Sequence, residues 1–230
     1  MKEKKLMLAI ISVITICLVV ATAVVCGVFG FKNSTKGLEY SEKSDRTYAV
    51  TGIGTCKNTD VVISPYYKGK KVTNIGAWAF YNCYSLTSIT IPDSVTSIGD
   101  RAFSDCTELT SITIPDSVTS IGDCAFYYCC SLTSIVIPSS VTNIGDNTFI
   151  GCTKLTSITI PDSVTSIGSN AFAYCNSLDR VYFGGDKASW EDMTIGYLNE
   201  DLLDADVYFY SENKMDGNYW RYVNGVPIRW

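Results

Sequence analysis

The sequence predicts a solenoid, a stack of short repeats in which one parallel β-strand from each coil forms a continuous sheet. The first observation is a 23-residue pattern that recurs five times without a gap, beginning at Val72, Val95, Val118, Val141 and Val164. The second is that two isoleucines in each of the first four copies, such as Ile112 and Ile114, alternate with another residue and so share one face of a short strand. Self-similarity at a fixed period is the signature of a stacked repeat fold.

Each copy surrounds its strand with the same turn residues. The copy from Val95 to Ser117 reads VTSIGDRAFSDCTELTSITIPDS. Proline ends the strand because it cannot donate to a ladder, and Pro-Asp-Ser then forms a turn. We expect the Asp after the Gly, as at Asp100, to cap a brief helical turn that carries Ala and Phe inward. One copy cannot bury its own apolar side chains, whereas a stack of copies buries them in one core.

The motif L-x-x-I-x-I-P, combined with V-T-x-I-G-x-x-A-F-x-x-C, resembles the BspA-like class of leucine-rich repeats over about residues 48–230. The resemblance implies a curved leucine-rich-repeat solenoid with short parallel strands on one face and short helical or irregular connections on the other. It also implies a surface-exposed or secreted protein, of a kind in which many members act in adhesion or protein binding.

Composition argues against several classes of function. The chain has 230 residues, a net charge of −5 and no histidine. The negative charge argues against nucleic acid as a partner. The lack of histidine removes Ser–His and Cys–His nucleophile pairs and the commonest zinc ligand. We therefore expect no enzymatic activity, no metal site and no cofactor.

The amino-terminal segment predicts a membrane anchor. Residues 1–5 form a basic cytoplasmic tip, and Leu6–Phe31 contains no charge. That stretch is longer than the ~20 residues that span a bilayer and the ~7–15 of a signal-peptide core. Residues 6–31 are therefore interpreted as a single-pass transmembrane anchor with the repeat domain outside. The alternative is a secreted protein, because Ala21 to Ala23 supply an A-x-A cleavage pattern.

The other segments frame the repeats. Residues 32–47 are polar and charged, which predicts a linker. Residues 48–71 predict a degenerate amino-terminal cap coil, and residues 72–186 contain the five repeats. Residues 187–210 predict a carboxy-terminal cap with short helical pieces and a strand from Asp206 to Tyr210.

The last segment, residues 211–230, is rich in aromatic residues. Asn224 and Gly225 predict a two-residue hairpin turn. Two interpretations of its aromatic face stay open, and the residues concerned are Trp220, Tyr222 and Trp230. The rings stack on sugar rings, or the hairpin packs on the end of the solenoid, because two strands alone are marginally stable in water.

Cysteine occupies the twelfth position of every repeat: Cys83, Cys106, Cys129, Cys152 and Cys175. The column either binds metal or forms disulfides, or it consists of small buried thiols that bond to loop carbonyls. Geometry favours buried thiols, because in-register coils hold Cβ atoms ~4.8 Å apart, beyond the ~3.5–4.5 Å of a disulfide. Cys124 and Cys130 replace polar residues in the third repeat, and we expect them to be exposed.

The outward strand positions form the candidate binding face: Thr87, Thr90, Thr110, Thr113, Thr133, Thr156, Thr159, Arg180 and Tyr182. Threonine at strand spacing suits contact with a protein backbone or a carbohydrate, although threonine also simply favours strands. The threonine lattice has no paired carboxylates and so does not resemble a glycosidase site. The leading hypothesis is an anchored extracellular protein that binds other proteins through this face. The alternatives are a module that binds glycan or cell-wall polymer, and a structural scaffold without a ligand.

Overall fold

The computed structural model describes residues 34–215, 217–223 and 225–230. The predicted basic tip and transmembrane anchor lie outside these ranges, and so does Asn224 of the predicted hairpin turn. In the described part of the chain, no helix combines the length and apolar character needed to cross a bilayer.

The leucine of each repeat is followed by a strand of a long parallel ladder, which confirms the predicted sheet. Its strands are β3 (Asp60–Val62), β6 (Ser88–Thr90), β8 (Ser111–Thr113), β10 (Ser134–Val136), β12 (Ser157–Ile160), β14 (Arg180–Phe183) and β16 (Asp206–Tyr210). Equivalent residues pair, as Ile89 does with Ile112. The ladder has two hydrogen-bonded parts, β3 to β8 and β10 to β16. Thr133 still donates its N–H to the carbonyl oxygen of Thr110 between them, at 3.3 Å.

A second parallel ladder runs through the Val-Thr-x-Ile segments. Its strands are β2 (Tyr48–Gly52), β5 (Lys70–Ile75), β7 (Ser97–Ile98), β9 (Ser120–Ile121), β11 (Asn143–Ile144), β13 (Ser166–Ile167) and β15 (Thr194–Ile195). Each full repeat therefore carries two strands where the sequence predicts one. Two residues are too few for an alternating pattern to indicate a strand.

The Ala-Phe-x-x-Cys segment is a chain of turns, not the helical turn that the sequence predicts. Its backbone donors alternate in direction: Phe80 donates to Ala102 of the next coil at 2.8 Å, and Ala79 donates back to Gly76 at 3.3 Å. This alternation depends on two residues at positive φ in every repeat. The pairs are Trp78 and Asn82, Arg101 and Asp105, Cys124 and Tyr128, Asn147 and Gly151, and Asn170 and Tyr174.

The aspartates after glycine link coils and do not cap helices. Asp100 accepts the backbone N–H of Asp123 on its Oδ1 at 3.1 Å, and Asp123 accepts that of Asp146 at 2.9 Å. The carboxylate fills the space where the next coil would place a Cβ, because a Cβ built on Gly122 would lie 2.3 Å from Asp100 Oδ1. The backbone of the preceding coil adds to this requirement for glycine, because a Cβ built on Gly99 would lie 2.5 Å from the backbone nitrogen of Ala77, where no aspartate is present.

The core is one continuous column between the two ladders. The Val, Ile, Ala, Phe and Leu positions of the repeats are buried along it. Phenylalanine rings of successive coils stack with centroids 5.3–5.4 Å apart: Phe80, Phe103, Phe126, Phe149 and Phe172. Each coil thus buries its apolar set against its neighbours, as the repeat pattern predicts.

The amino-terminal end begins before the predicted cap. Strand β1 (Glu39–Glu42) pairs antiparallel with β2, and β4 (Tyr66–Tyr67) pairs antiparallel with β5. The linker prediction for residues 32–47 is therefore wrong over β1. Tyr40 stacks on Tyr67 with centroids 4.1 Å apart, and this contact helps to cover the first coil.

The carboxy-terminal end contains the predicted helical pieces, α1 (Lys187–Glu191) and α2 (Glu200–Leu203), and the predicted strand Asp206–Tyr210. Buried Asn199 supplies the hydrogen bonds that a next coil would make to the turns of the last repeat. Its Oδ1 accepts the N–H of Phe172 at 3.0 Å, and its Nδ2 donates to the carbonyl oxygen of Gly168 at 2.9 Å. The tail forms β17 (Tyr219–Val223) and β18 (Val226–Arg229). β17 pairs parallel with β16, and β18 returns antiparallel, so the hairpin extends the long sheet.

Candidate binding face and the groove at its end

The outward face of the long ladder is exposed in its middle coils. Thr90, Thr113 and Val136 occupy the same position of β6, β8 and β10, and all three are exposed, Val136 to 46%. They point outward because the isoleucine before each one points into the core, and successive side chains of a strand alternate. The core therefore does not use these side chains, and they are free to contact a partner.

The threonines that precede the strands have a structural role as well. The hydroxyl of each donates to the backbone carbonyl of the equivalent residue one coil earlier, at 3.1–3.4 Å: Thr87, Thr110, Thr133 and Thr156. Thr110 and Thr133 are exposed, whereas Thr87 and Thr156 are half-buried. These hydroxyls keep only acceptor capacity for a ligand, because their one proton is used between coils.

The last two coils do not present the predicted face. Thr159 is only 4% exposed and Tyr182 only 5%, and Arg180 is half-buried. Tyr182 packs against Tyr208 and Trp220, with ring centroids 5.7 and 5.5 Å away. The prediction of Thr159 and Tyr182 as outward binding residues is wrong, because the carboxy-terminal cap and the tail cover that part of the sheet.

The tail is docked on the solenoid, which leaves one of its three predicted stacking residues, Trp220, unable to stack on a sugar. Trp220 is 1% exposed and donates its indole N–H to the carbonyl oxygen of Phe183 at 2.8 Å. Trp230 donates to Ser211 at 2.9 Å, and the guanidinium of Arg221 lies 3.9 Å from its ring centroid. Tyr222, at 45% exposed, keeps an open ring.

A groove of about 350 Å³ lies where the tail meets the strand ends. Its lining includes the rings of Tyr210 and Tyr222 and the exposed turn residues Asp116, Ser139 and Asp162. Buried Trp220 and Thr159 contribute to its lining, and exposed Val136 joins it to the open face. Burial, the charge of Asp116 and the neighbouring Tyr210 raise the pKa of the Tyr222 hydroxyl, which stays protonated at neutral pH.

Sequence reasoning missed this groove because its lining residues come from distant parts of the chain. Tyr222 is paired with a turn residue, Asp116, from the second repeat. A single sequence holds no signal that brings these two residues together. The only local signal is that Ser139 replaces the aspartate found at the same turn position in the neighbouring repeats.

The cysteine column consists of buried thiols bonded to carbonyls, except at its first member. Cys106, Cys129, Cys152 and Cys175 each donate to the phenylalanine carbonyl of the preceding coil at 3.1–3.3 Å. Burial raises the pKa of all four thiols, that of Cys175 to about 12. Cys83 is half-buried, and burial with the nearby Cys56 raises its pKa to about 11.

The two additional cysteines differ from each other. Cys124 is buried, so the prediction that it is exposed is wrong, and Cys130 is half-buried with its thiol 3.3 Å from the Tyr128 carbonyl. All eight cysteines in the described ranges are free thiols. Within the same ranges, no group of three or more Cys, Asp or Glu side chains is placed to hold a metal ion.

Two parallel ladders, with Leu-x-x-Ile-x-Ile in each of the first four repeats, are typical of a leucine-rich repeat protein. A family profile described as "BspA type Leucine rich repeat region (6 copies)" matches residues 73–197. The chain belongs to this BspA-type family.

Solved structures agree with this membership. The leucine-rich repeat protein of T. pallidum is 30% identical, with a TM-score of 0.62, over 76% of this chain and 84% of that one. A leucine-rich cell surface protein from Faecalibacterium prausnitzii is 26% identical, with a TM-score of 0.55, over 85% of this chain and 57% of that one. No curated protein matches the chain.

Proposed function

We propose that this chain is a membrane-anchored extracellular protein that binds another protein through the outward face of β6, β8 and β10. The observation that carries the proposal is the column of Thr90, Thr113 and Val136, exposed in consecutive coils and unused by the core. Short side chains in register form a regular surface that a partner can contact over several coils at once. A solenoid sums such contacts over its repeats.

The surroundings of this face support a protein partner. The face is open at β6, β8 and β10, whereas Thr159 and Tyr182 are buried at the end of the sheet where the tail docks. The exposed Val136 gives the groove end of the face an apolar contact beside the polar threonines, and protein interfaces combine apolar and polar contacts in this way. The similar protein from F. prausnitzii is described as a cell surface protein, which supports an extracellular location.

The anchor is supported by the sequence. Three lysines precede the uncharged stretch Leu6–Phe31, a pattern typical of an amino terminus that stays in the cytoplasm. The repeats would then lie outside the cell. Epitope accessibility on intact cells tests this orientation, because a tag after Trp230 should be labelled without permeabilisation and a tag before Met1 should not.

The glycan alternative loses support at the tail, because Trp220 is buried and Arg221 occupies one face of the Trp230 ring. The scaffold alternative predicts no saturable ligand. A binding screen of the purified full chain in detergent separates the three. Its panel holds extracellular-matrix proteins, surface proteins of neighbouring cells and cell-wall polysaccharides.

The binding face is tested by the triple variant T90K/T113K/V136K. Three lysines on one face obstruct a docked partner and add charge, so the affinity for any protein found in the screen should fall at least about tenfold. The matched control is T96K/T119K/T142K, which changes exposed residues beside the second ladder. Unchanged binding by the first variant, with both variants folded by circular dichroism, would show that this face is not the site.

A further inference from the structure

The groove at the end of the face combines open aromatic rings with acidic side chains. The rings of Tyr210 and Tyr222 lie 6.4 Å apart at an interplanar angle of 47°. Both rings contact buried Trp220, at 5.3 and 4.8 Å between centroids, so their positions are fixed from below. Tyr210 is 37% exposed, and with Tyr222 it offers π surface to the groove.

Charge in the groove has one sign. Asp116 and Asp162 are exposed on its rim, and no described lining residue is a lysine or an arginine. The whole chain is also negative, at −5. A phosphate or carboxylate ligand would therefore be repelled, whereas a cation would be attracted both by the carboxylates and by the ring faces.

We propose that the groove takes the cationic side chain of an arginine or lysine from the protein that binds the open face. The inference rests on the proposed function and gives the chemistry of one anchoring residue of that partner. Val136 belongs both to the face and to the groove wall, so a segment lying on the face reaches the groove without leaving the surface. The apolar stem of the side chain packs on Val136 and the rings, while its charged end meets Asp116 and Asp162.

The probe for this site is N-acetyl-arginine N-methylamide, and its neutral counterpart is the citrulline analogue of the same size. Binding to the full chain is followed through the NMR signals of ring-¹³C-labelled tyrosine, with those of Tyr210 and Tyr222 assigned by Tyr→Phe variants. The arginine amide should shift both signals saturably, with a Kd in the millimolar range. The citrulline amide should bind at least about tenfold more weakly, because it lacks the charge.

The carboxylates are tested by D116N/D162N, which should weaken binding of the arginine amide at least about tenfold and leave the fold intact. The matched control is Asp93→Asn, an aspartate in the same turn position of the first repeat that does not line the groove. Its binding should equal that of the wild type. Raising the ionic strength should weaken binding of the arginine amide more than that of the citrulline amide.

Three results would overturn the inference: equal binding of the two amides, no saturable shift at either tyrosine, or a shift produced by xylotriose and not by the arginine amide. The last result would assign the groove to a saccharide. Failure of the proposed function gives a different result, because the arginine amide would still bind beside Asp116 and Asp162 in a chain whose open face binds no protein.

Discussion

Trp220 donates its indole N–H to the main-chain oxygen of Phe183 at 2.8 Å, across 37 residues of sequence. The bond joins β17 to β14, although β16 lies between them in the sheet. The indole therefore lies over the outer surface of the ladder and not at its edge. This is why the tail decides how many coils show an open face.

Replacing Trp220 with alanine should release the tail while the repeats stay folded. The change removes a fully buried side chain, a loss of about 3–5 kcal/mol for packing of this size. We expect amide exchange in residues 206–230 to accelerate and a protease to cleave there first. Trp78→Ala, at an exposed tryptophan, is the control and should leave exchange in the tail unchanged. Protection in the tail equal to that of the wild type would show that Trp220 does not hold it.

Phe126 stands in the middle of the phenylalanine stack, with neighbours at 5.4 Å on both sides. Phe126→Ala should lower the free energy of unfolding by about 3–5 kcal/mol, because the cavity opens between two coils that cannot close around it. Urea unfolding followed by circular dichroism measures the change. Tyr174→Ala, at an exposed ring, should stay within about 0.5 kcal/mol of the wild type. Equal midpoints for the two variants would contradict the role given to the stack.

The aspartates that link successive coils allow the effect of charge on stability to be separated from that of hydrogen bonding. Asp123→Ala should reduce stability by about 0.5–1 kcal/mol, because the N–H of Asp146 loses its acceptor. Asp123→Asn keeps an acceptor oxygen and should lose less than half as much. Asp93→Ala, in an exposed turn, provides the baseline in the same urea measurement. If Asn and Ala were equally damaging, the charge and not the hydrogen bond would be the stabilising element.

The buried thiols predict a loss of stability at alkaline pH. Burial raises the pKa of Cys175 from 9.0 to about 12, so the folded state keeps the proton that the unfolded state releases. Its stabilising contribution is complete below pH 9 and is lost as the pH rises from 9 towards 12. Urea midpoints measured between pH 8 and 11 should fall more steeply for the wild type than for Cys175→Ala. Parallel curves for the two proteins would show that this thiol does not contribute.

Much of the fold could be predicted because it is periodic. The spacing of Leu109, Ile112 and Ile114 indicates a strand and its buried face, and the position of Cys106 indicates a buried thiol. Five copies repeat this information, which makes the register clear. The second ladder could not be predicted, since strands such as Ser97–Ile98 contain too few residues for a pattern.

The turns and the covered end of the face also escaped prediction, for two different reasons. Arg101 and Cys124 hold positive φ, a conformation that their residue types do not indicate. Thr159 has the same sequence neighbours as Thr113, yet Thr159 is buried and Thr113 is exposed. The difference comes from the docked tail, whose Trp220 is 61 positions away from Thr159 in the sequence. Local sequence determines the conformation of a coil, whereas residues distant in the sequence determine whether its outward face is buried.

The groove forms at a fixed number of coils from the carboxy-terminal end of the solenoid, because the tail docks on the last coils. A 23-residue unit gained or lost before Val95 would lengthen or shorten the molecule and leave Asp116, Ser139 and Asp162 beneath the tail. A repeat gained or lost after Val164 would shift the turns by one coil relative to the tail, so three different turn residues would line the groove. Duplication of near-identical repeats would therefore leave the groove lining unchanged at one end of the gene and would alter it at the other.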